Sequence, residues 1–242
     1  MSPGAAGSAP EEGPGLYLVG TVHLDREAAP TLEALLDRLR PQGVTVEISR
    51  FSVEFRTEME AVWLRRLEAI LEERPHLAGH HRMELLRRQL AMPFEWSTAL
   101  GWCWRRGVPC LAVDWGVPSR EELPTWLHGL ITPENLELLA QEPPCPLDRH
   151  LHIHRERARR AFLEATPTQA PWSDSPLWVR REKILIKRVE RLLKRFERMV
   201  HIGGWNHVLP WVEGTLASAL IREIKRIFLV LPEEAVELPP QG

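Results

Sequence analysis

The sequence predicts an α/β fold, with a largely parallel central sheet flanked by helices and a helical cap drawn from the middle of the chain. Three observations predict it. Short apolar or β-branched runs recur at LYLVG (16–20), VTVEI (44–48), VPCLAVD (108–114), VHIGG (200–204) and RIFLVL (226–231). Helical periodicity separates them, which is the spacing of right-handed crossovers between parallel strands. A content of 44% hydrophobic and 26% charged residues is globular composition, neither disordered nor membrane-embedded.

Each element has a local reason. Residues 1–14, mostly Gly, Pro, Ala and Ser, read as a mobile tail. LYLVG ends at Gly20 as a buried strand does. Leu32, Leu35, Leu36 and Leu39 then keep helical spacing after Pro30, and Pro41 with Gly43 stops that helix. VTVEI is a strand by its β-branched content. Phe55, Met59, Val62, Trp63, Leu67, Ile70 and Leu71 mark a long helix, and further helices are expected over 81–91 and 94–106, ending at Gly107.

VPCLAVD is a third strand, with Pro109 near its start. The Pro-punctuated region 118–176 reads as a helical cap or lid without a core of its own. A strong apolar face through Ile184, Leu185, Val189, Leu192, Leu193, Phe196 and Met199 predicts a helix over 179–200. VHIGG is a strand, 215–224 a helix capped by Thr215, and RIFLVL the last strand. Residues 15–231 therefore read as one domain, and 232–242 as a second tail.

Bulk properties exclude several functions. A net charge of −2 argues against a nucleic-acid binder. No run approaches the ~18 apolar residues of a membrane span, and the N-terminus lacks the pattern of a signal peptide. Cys103, Cys110 and Cys145 form no Cys-x-x-Cys pair and suit a reducing compartment, so the cytoplasm is the expected location. The 10 Trp against 1 Tyr read first as packing residues.

In open α/β sheets ligands bind beyond the carboxyl ends of parallel strands. Leaving those ends are Gly20-Thr21-Val22-His23, Glu47, Asp114 and Gly204-Trp205-Asn206-His207. One sheet edge would thus receive two imidazoles and two carboxylates. A carboxylate near the end of a buried strand, such as Glu47, is costly unless paired or metal-bound.

LVGTVH, a helix, and then VTVEIS resemble the opening of the TraB/Tiki family, and HIGGWNH is similar to its second Gly-x-x-His motif. VPCLAVD and RREKIL (180–185) resemble the family's Asp-ending strand and its Arg-bearing helix. The resemblance spans roughly 16–231, with the middle recognisable only as helical. It implies a fold related to erythromycin-esterase-like and ChaN-like proteins, and divalent-metal-dependent hydrolysis of peptide or related amide or ester bonds. It places His23, Glu47, Arg181 and His207, with Asp114, at the site. Unlike many members, this sequence shows no membrane segment or secretion signal, so the substrate need not be an extracellular peptide.

Two imidazoles and a carboxylate can hold manganese, cobalt or zinc and leave a position for water. On this reading His23 and His207 are ligands, and Glu47 is the third ligand or the general base. Arg181 would stabilise an oxyanion or bind a substrate carboxylate, although its neighbours Arg180, Arg188 and Arg191 also fit a solvated helix face. Gly20, Thr21, Gly204, Trp205 and Asn206 would be the cofactor-binding positions around the ion, with Trp205 either walling the pocket or packing beneath the loop. His150, His152 and His154 read as an exposed helix, and His80 and His81 as a polar turn.

Two other classes stay open. One is a non-catalytic protein that holds metal, haem or a small ligand at the same edge. The other is a regulatory protein docking through Arg-rich helices 151–165 and 179–199. The expected partner is a peptide or small-molecule substrate, with monomer and homodimer both open.

Overall fold

A computed structural model describes residues 13–164 and 175–238. The expected 1–14 tail and the end of the 118–176 region thus lie largely or partly outside the described residues. In chain order the elements are β1 (Gly15–Thr21), α1 (Ala29–Leu39), β2 (Gly43–Val46), α2 (Arg50–Glu73), α3 (Pro75–Ala78), α4 (His81–Leu90), α5 (Phe94–Arg106) and β3 (Cys110–Ala112). Then follow α6 (Gly116–Glu122), α7 (Pro133–Leu139), α8 (Leu147–Leu163), α9 (Pro176–Leu193), β4 (Arg198–Gly204), α10 (Leu216–Ala219), β5 (Ile224–Val230) and β6 (Ala235–Glu237).

The strands form one sheet in the order β3-β2-β4-β1-β5-β6. All pairs are parallel except β5 with β6. The fold is α/β, as the strand–helix alternation predicts.

Alternation along each strand assigns the two faces. Leu16, Leu18 and Met199 pack with Ala158 and Phe162 of α8, Leu185 and Val189 of α9, and Leu216 of α10. Tyr17, Val19, Val44, Val46 and Val200 pack on the other face with Leu32 and Leu36 of α1 and Ala99 and Trp102 of α5. A third cluster joins Trp63 and Leu67 of α2 and Leu86 of α4 to Leu123, Trp126 and Leu136. The 118–176 region therefore divides. Its first part packs with α2–α4, and α8 lies on the sheet.

Local signals set the element ends. Ser49 caps α2 by accepting the Ser52 N–H at 3.0 Å. Gly107 ends α5 with φ +65°, a conformation glycine adopts without strain.

Several expected boundaries differ, the strands of 44–48 and 108–114 shortening to Gly43–Val46 and Cys110–Ala112 and the helix of 179–200 starting at Pro176. The helix expected over 215–224 keeps its Thr215 cap but stops at Ala219. Beyond it the chain must turn into β5, and the Glu223 carbonyl is already taken by the Leu16 N–H at 3.1 Å. The helix expected to reach 200 ends at Leu193, because Glu197 accepts from Gly15 N–H and Arg198 opens β4. Residues 235–237, expected as tail, pair as β6 with Val230, Leu229 and Phe228. Three residues carry too little periodicity to be read as a strand, and only the neighbouring edge makes them one.

Candidate functional site

The five parallel strands end at one edge. From β1 the chain turns to α1 on one face, and from β4 to α10 on the other, so the edge opens where their loops diverge. Both Gly-x-x-His segments lie there. His23 follows β1, and His207 sits in the 3-10 turn Trp205–Val208 directly after β4. Glu47 is the first residue past β2, held in register by its N–H to Ile202 O at 2.8 Å.

Glu47 is the hub. Its side chain is 2% accessible. Oε1 accepts from Arg181 Nη2 at 2.6 Å and lies 3.1 Å from His207 Nε2, while Oε2 accepts the Gly204 N–H at 3.0 Å. Burial alone would raise its pKa, but the charges of His207, Arg181 and His23 outweigh it and hold the carboxyl at about 2. Glu47 is an anion inside the protein.

Arg181 spans two carboxylates. Its Nε and Nη2 donate to Asp114 Oδ1 and Oδ2, each at 2.8 Å. Asp114 also accepts the Trp115 N–H at 2.7 Å. Although α9 carries several arginines, Arg181 points inward and is not part of a solvated face.

Each imidazole is anchored from behind by an acid. His207 Nδ1 is ion-paired with Glu182, whose other oxygen accepts the Leu216 N–H at 3.1 Å. Burial opposes charge on His207, but Glu47 and Glu182 raise its pKa above the ordinary value. His23 Nδ1 lies 2.9 Å from Glu95 Oε1, which also accepts from Thr21 Oγ1 at 2.9 Å. Desolvation again opposes protonation, and Glu95 outweighs it, raising His23 to about 8. Most of the His23 ring faces solvent, at 60% accessible, so water screens part of that attraction.

Gly204 joins the two imidazoles. A Cβ on it would lie 2.7 Å from His23 Nε2 and 3.5 Å from His207 Cδ2. At Gly203 a Cβ would lie 2.5 Å from Glu47 Oε2. Gly20 has the same character, since a Cβ there would meet Val208 at 2.6 Å and the Trp205 backbone at 3.0 Å. These glycines let the second loop lie against the first strand. Trp205 is half-buried and packs against the apolar cluster beneath the loop, with Asn206 partly buried in the turn beside it.

His23, Glu47, His207, Arg181 and Asp114 thus meet at one rim. Four neighbours escaped the sequence reading: Glu95, Glu182, Thr45 and His201. Glu182 lies on the buried stripe of Trp178, Leu185 and Val189, and Glu95 on that of Ala99, Trp102 and Cys103. An acid on an apolar helical stripe was the available signal. His201, inside β4, sits 2.9 Å by Nδ1 from Thr45 Oγ1, and its Nε2 is buried without a hydrogen-bond partner among the described residues. Burial drives its pKa down to about 4, so the ring is neutral.

Elsewhere, His150 and His154 share a face of α8 with ring centroids 4.7 Å apart, and His152 is exposed. His81, expected in a polar turn, is buried and accepts the Cys145 N–H at 3.3 Å.

In chemical type, the rim's donors fit a divalent cation. A ligating histidine ordinarily has its second ring nitrogen against a carboxylate, and both imidazoles place Nδ1 beside one. In spacing, no three His, Cys, Asp or Glu side chains among the described residues form a ready metal-binding group. No helix among the described residues is long and apolar enough to cross a membrane. Compared with protein-family models, curated proteins and solved structures, the chain has no match.

Proposed function

We propose that this chain is a hydrolase of peptide or related amide or ester bonds, of the TraB/Tiki kind, working at the rim of His23, Glu47, Arg181 and His207. One observation carries the reading. An ionised carboxylate is held between a guanidinium and an imidazole, beside a glycine that also touches a solvent-facing imidazole. Buried charge arranged in this way is costly to fold and is concentrated at reacting centres.

The residues divide the work. His23, open to solvent and backed by Glu95, can move a proton at Nε2 between water and a bound substrate. Arg181 and His207 present fixed positive charge at the rim, where oxygen charge would develop during acyl transfer. Glu47 keeps both in place. In a metal-bound form, with the His23 and His207 rings unprotonated at Nε2 and His207 released from Glu47, those nitrogens and Glu47 would instead hold a manganese, cobalt or zinc ion in place of the proton-carrying roles. Such an ion, when bound, supplies a more acidic water and polarises a carbonyl.

A non-catalytic binder is favoured by a different observation. The three groups held against Glu47 already occupy its two oxygens and leave it poorly placed to take a proton from an attacking water. Metal analysis of the purified protein, then hydrolysis of a peptide library with and without the three ions, separates the readings. The hydrolase reading expects turnover that His23→Ala abolishes with little change in Tm. Stoichiometric metal without turnover establishes the binder, and neither metal nor turnover overturns both.

A further inference from the structure

Beside His23, away from Glu47, lies a cavity of about 170 Å³ lined by Leu24, Arg26, Arg56, Phe94 and Glu95 among others. A liquid water takes about 30 Å³, and drug-sized sites begin near 300 Å³, so this space suits one small group and not a whole ligand.

Its charge is positive. Arg56 is 9% accessible and no carboxylate contacts it among the described residues. Its Nη1 donates to the carbonyls of Gln89, Leu90 and Ala91 at 2.7, 3.2 and 3.0 Å, and Nε to Ser52 Oγ. Trp126 covers one face, with 4.9 Å from Cζ to the ring centroid. Glu60 and Glu122 act on it only through space, and burial pushes its pKa down, as expected of a guanidinium without a touching counter-ion. Nη2 makes no hydrogen bond among the described residues. Arg26, exposed at the mouth, likewise has no ion pair among them. The lining's other charges are spoken for. Arg88 is paired with Glu27 and Glu84, and Glu95 with His23 and Thr21.

The wall is also held rigidly. Leu24 has φ +66°, a conformation that L residues with bulky side chains rarely adopt. Arg88 binds its carbonyl at 3.0 Å, and Arg155 fixes neighbouring Asp25 through two bonds of 2.7 Å. Surroundings that over-determine a strained loop pre-organise whatever it borders.

We infer that this cavity is a carboxylate subsite, so that the substrate carries a free carboxylate about one residue from the bond presented to His23, bound by Arg26 and Arg56. This deepens the hydrolase reading and rests on it for the orientation of the substrate. Binding itself does not require turnover.

The test is calorimetric titration of the full chain with N-acetyl-Ala-Ala, its C-terminal amide, and N-acetyl-Ala-Asp-amide, followed by assay of the same compounds for cleavage. The free acid is expected to bind at least about tenfold tighter than the amide, which is the effect of one charge-assisted hydrogen bond. Arg26→Gln, at an exposed position, should remove most of that preference, and Arg56→Lys should weaken the acid alone. Binding of the third compound would show that a side-chain carboxylate also serves. Equal affinity for acid and amide, no effect of Arg26→Gln, or no binding at millimolar concentration overturns the subsite. Charge-dependent binding without cleavage of these compounds or of the peptide library, with or without the three ions, leaves the subsite standing and defeats the hydrolase. Cleavage with no preference for the acid does the reverse.

Discussion

Replacing Arg181 with Met should destabilise the protein by about 3 kcal/mol, because it leaves buried carboxylates without their cation. Three charge-assisted hydrogen bonds disappear, two of 2.8 Å to Asp114 and one of 2.6 Å to Glu47. The two acids do not suffer equally. Glu47 retains His207 and the Gly204 N–H, whereas Asp114 retains only the Trp115 N–H among these bonds while 11% accessible. Removing one partner of a buried pair ordinarily costs about 3–5 kcal/mol, and the 27% accessibility of Arg181 sets the lower end. For a chain of this size that lowers Tm by about 6–12 °C. Urea unfolding at pH 7, followed by circular dichroism, measures it. If Asp114 is the stranded group, adding Asp114→Asn to Arg181→Met should recover about 1–2 kcal/mol, a coupling visible in a double-mutant cycle. A loss below about 1 kcal/mol would mean that Arg181 behaves as a solvated surface residue and that the rim is not assembled as described.

Gly204→Ala would drive a methyl against the His23 ring, which is exposed and can yield. Stability should change by less than about 1 kcal/mol, while the proposed peptide hydrolysis should fall up to about 100-fold, as read by urea melts and kcat/KM on one preparation. Gly203→Ala presses instead on pinned, buried Glu47, and its loss should appear in the melt as about 1–3 kcal/mol. Glu182→Ala strands His207 Nδ1 and the Leu216 N–H, for an expected loss of about 2–4 kcal/mol, and histidine NMR of Glu182→Gln should show a lowered His207 pKa. Acid should destabilise in two steps, because His201 at about 4 and Glu47 at about 2 are both depressed below their unfolded values of 6.5 and 4.5. Unfolded chains then bind more protons, so stability falls first from pH 6.5 toward 4 and next from 4.5 toward 2. His23 and His207 are raised, so their contribution is full below pH 6.5 and is lost as pH rises, for His23 through about 8. Urea midpoints across this range test the signs; burial also holds His81, His150 and His154 below 6.5, so His201→Leu should flatten the limb between 6.5 and 4 without abolishing it, and an unchanged slope would disprove the His201 contribution.

Much of this architecture is local chemistry written along the chain. The strand runs at 16–20, 44–48 and 200–204 and the helical stripes between them are periodic patterns, readable because each residue's preference is set by near neighbours. Right-handed crossovers then oblige those strands to run parallel, which carries His23, Glu47, Asp114 and His207 to one edge. Tertiary structure alone decided the rest. The acids behind the imidazoles come from helices on opposite faces, and Glu95 meets His23 across 72 residues of chain. Whether Arg181 faces water or Glu47 depends on the rotation of α9 against the sheet, and one position along a helix turns a side chain by about 100°. Only packing sets that angle. In the same way β6 exists because β5 offers unpaired N–H and C=O groups beside it. A pattern along the chain tells which groups arrive at the edge. It does not tell which of them touch, because contact depends on the relative rotation and depth of elements far apart in sequence.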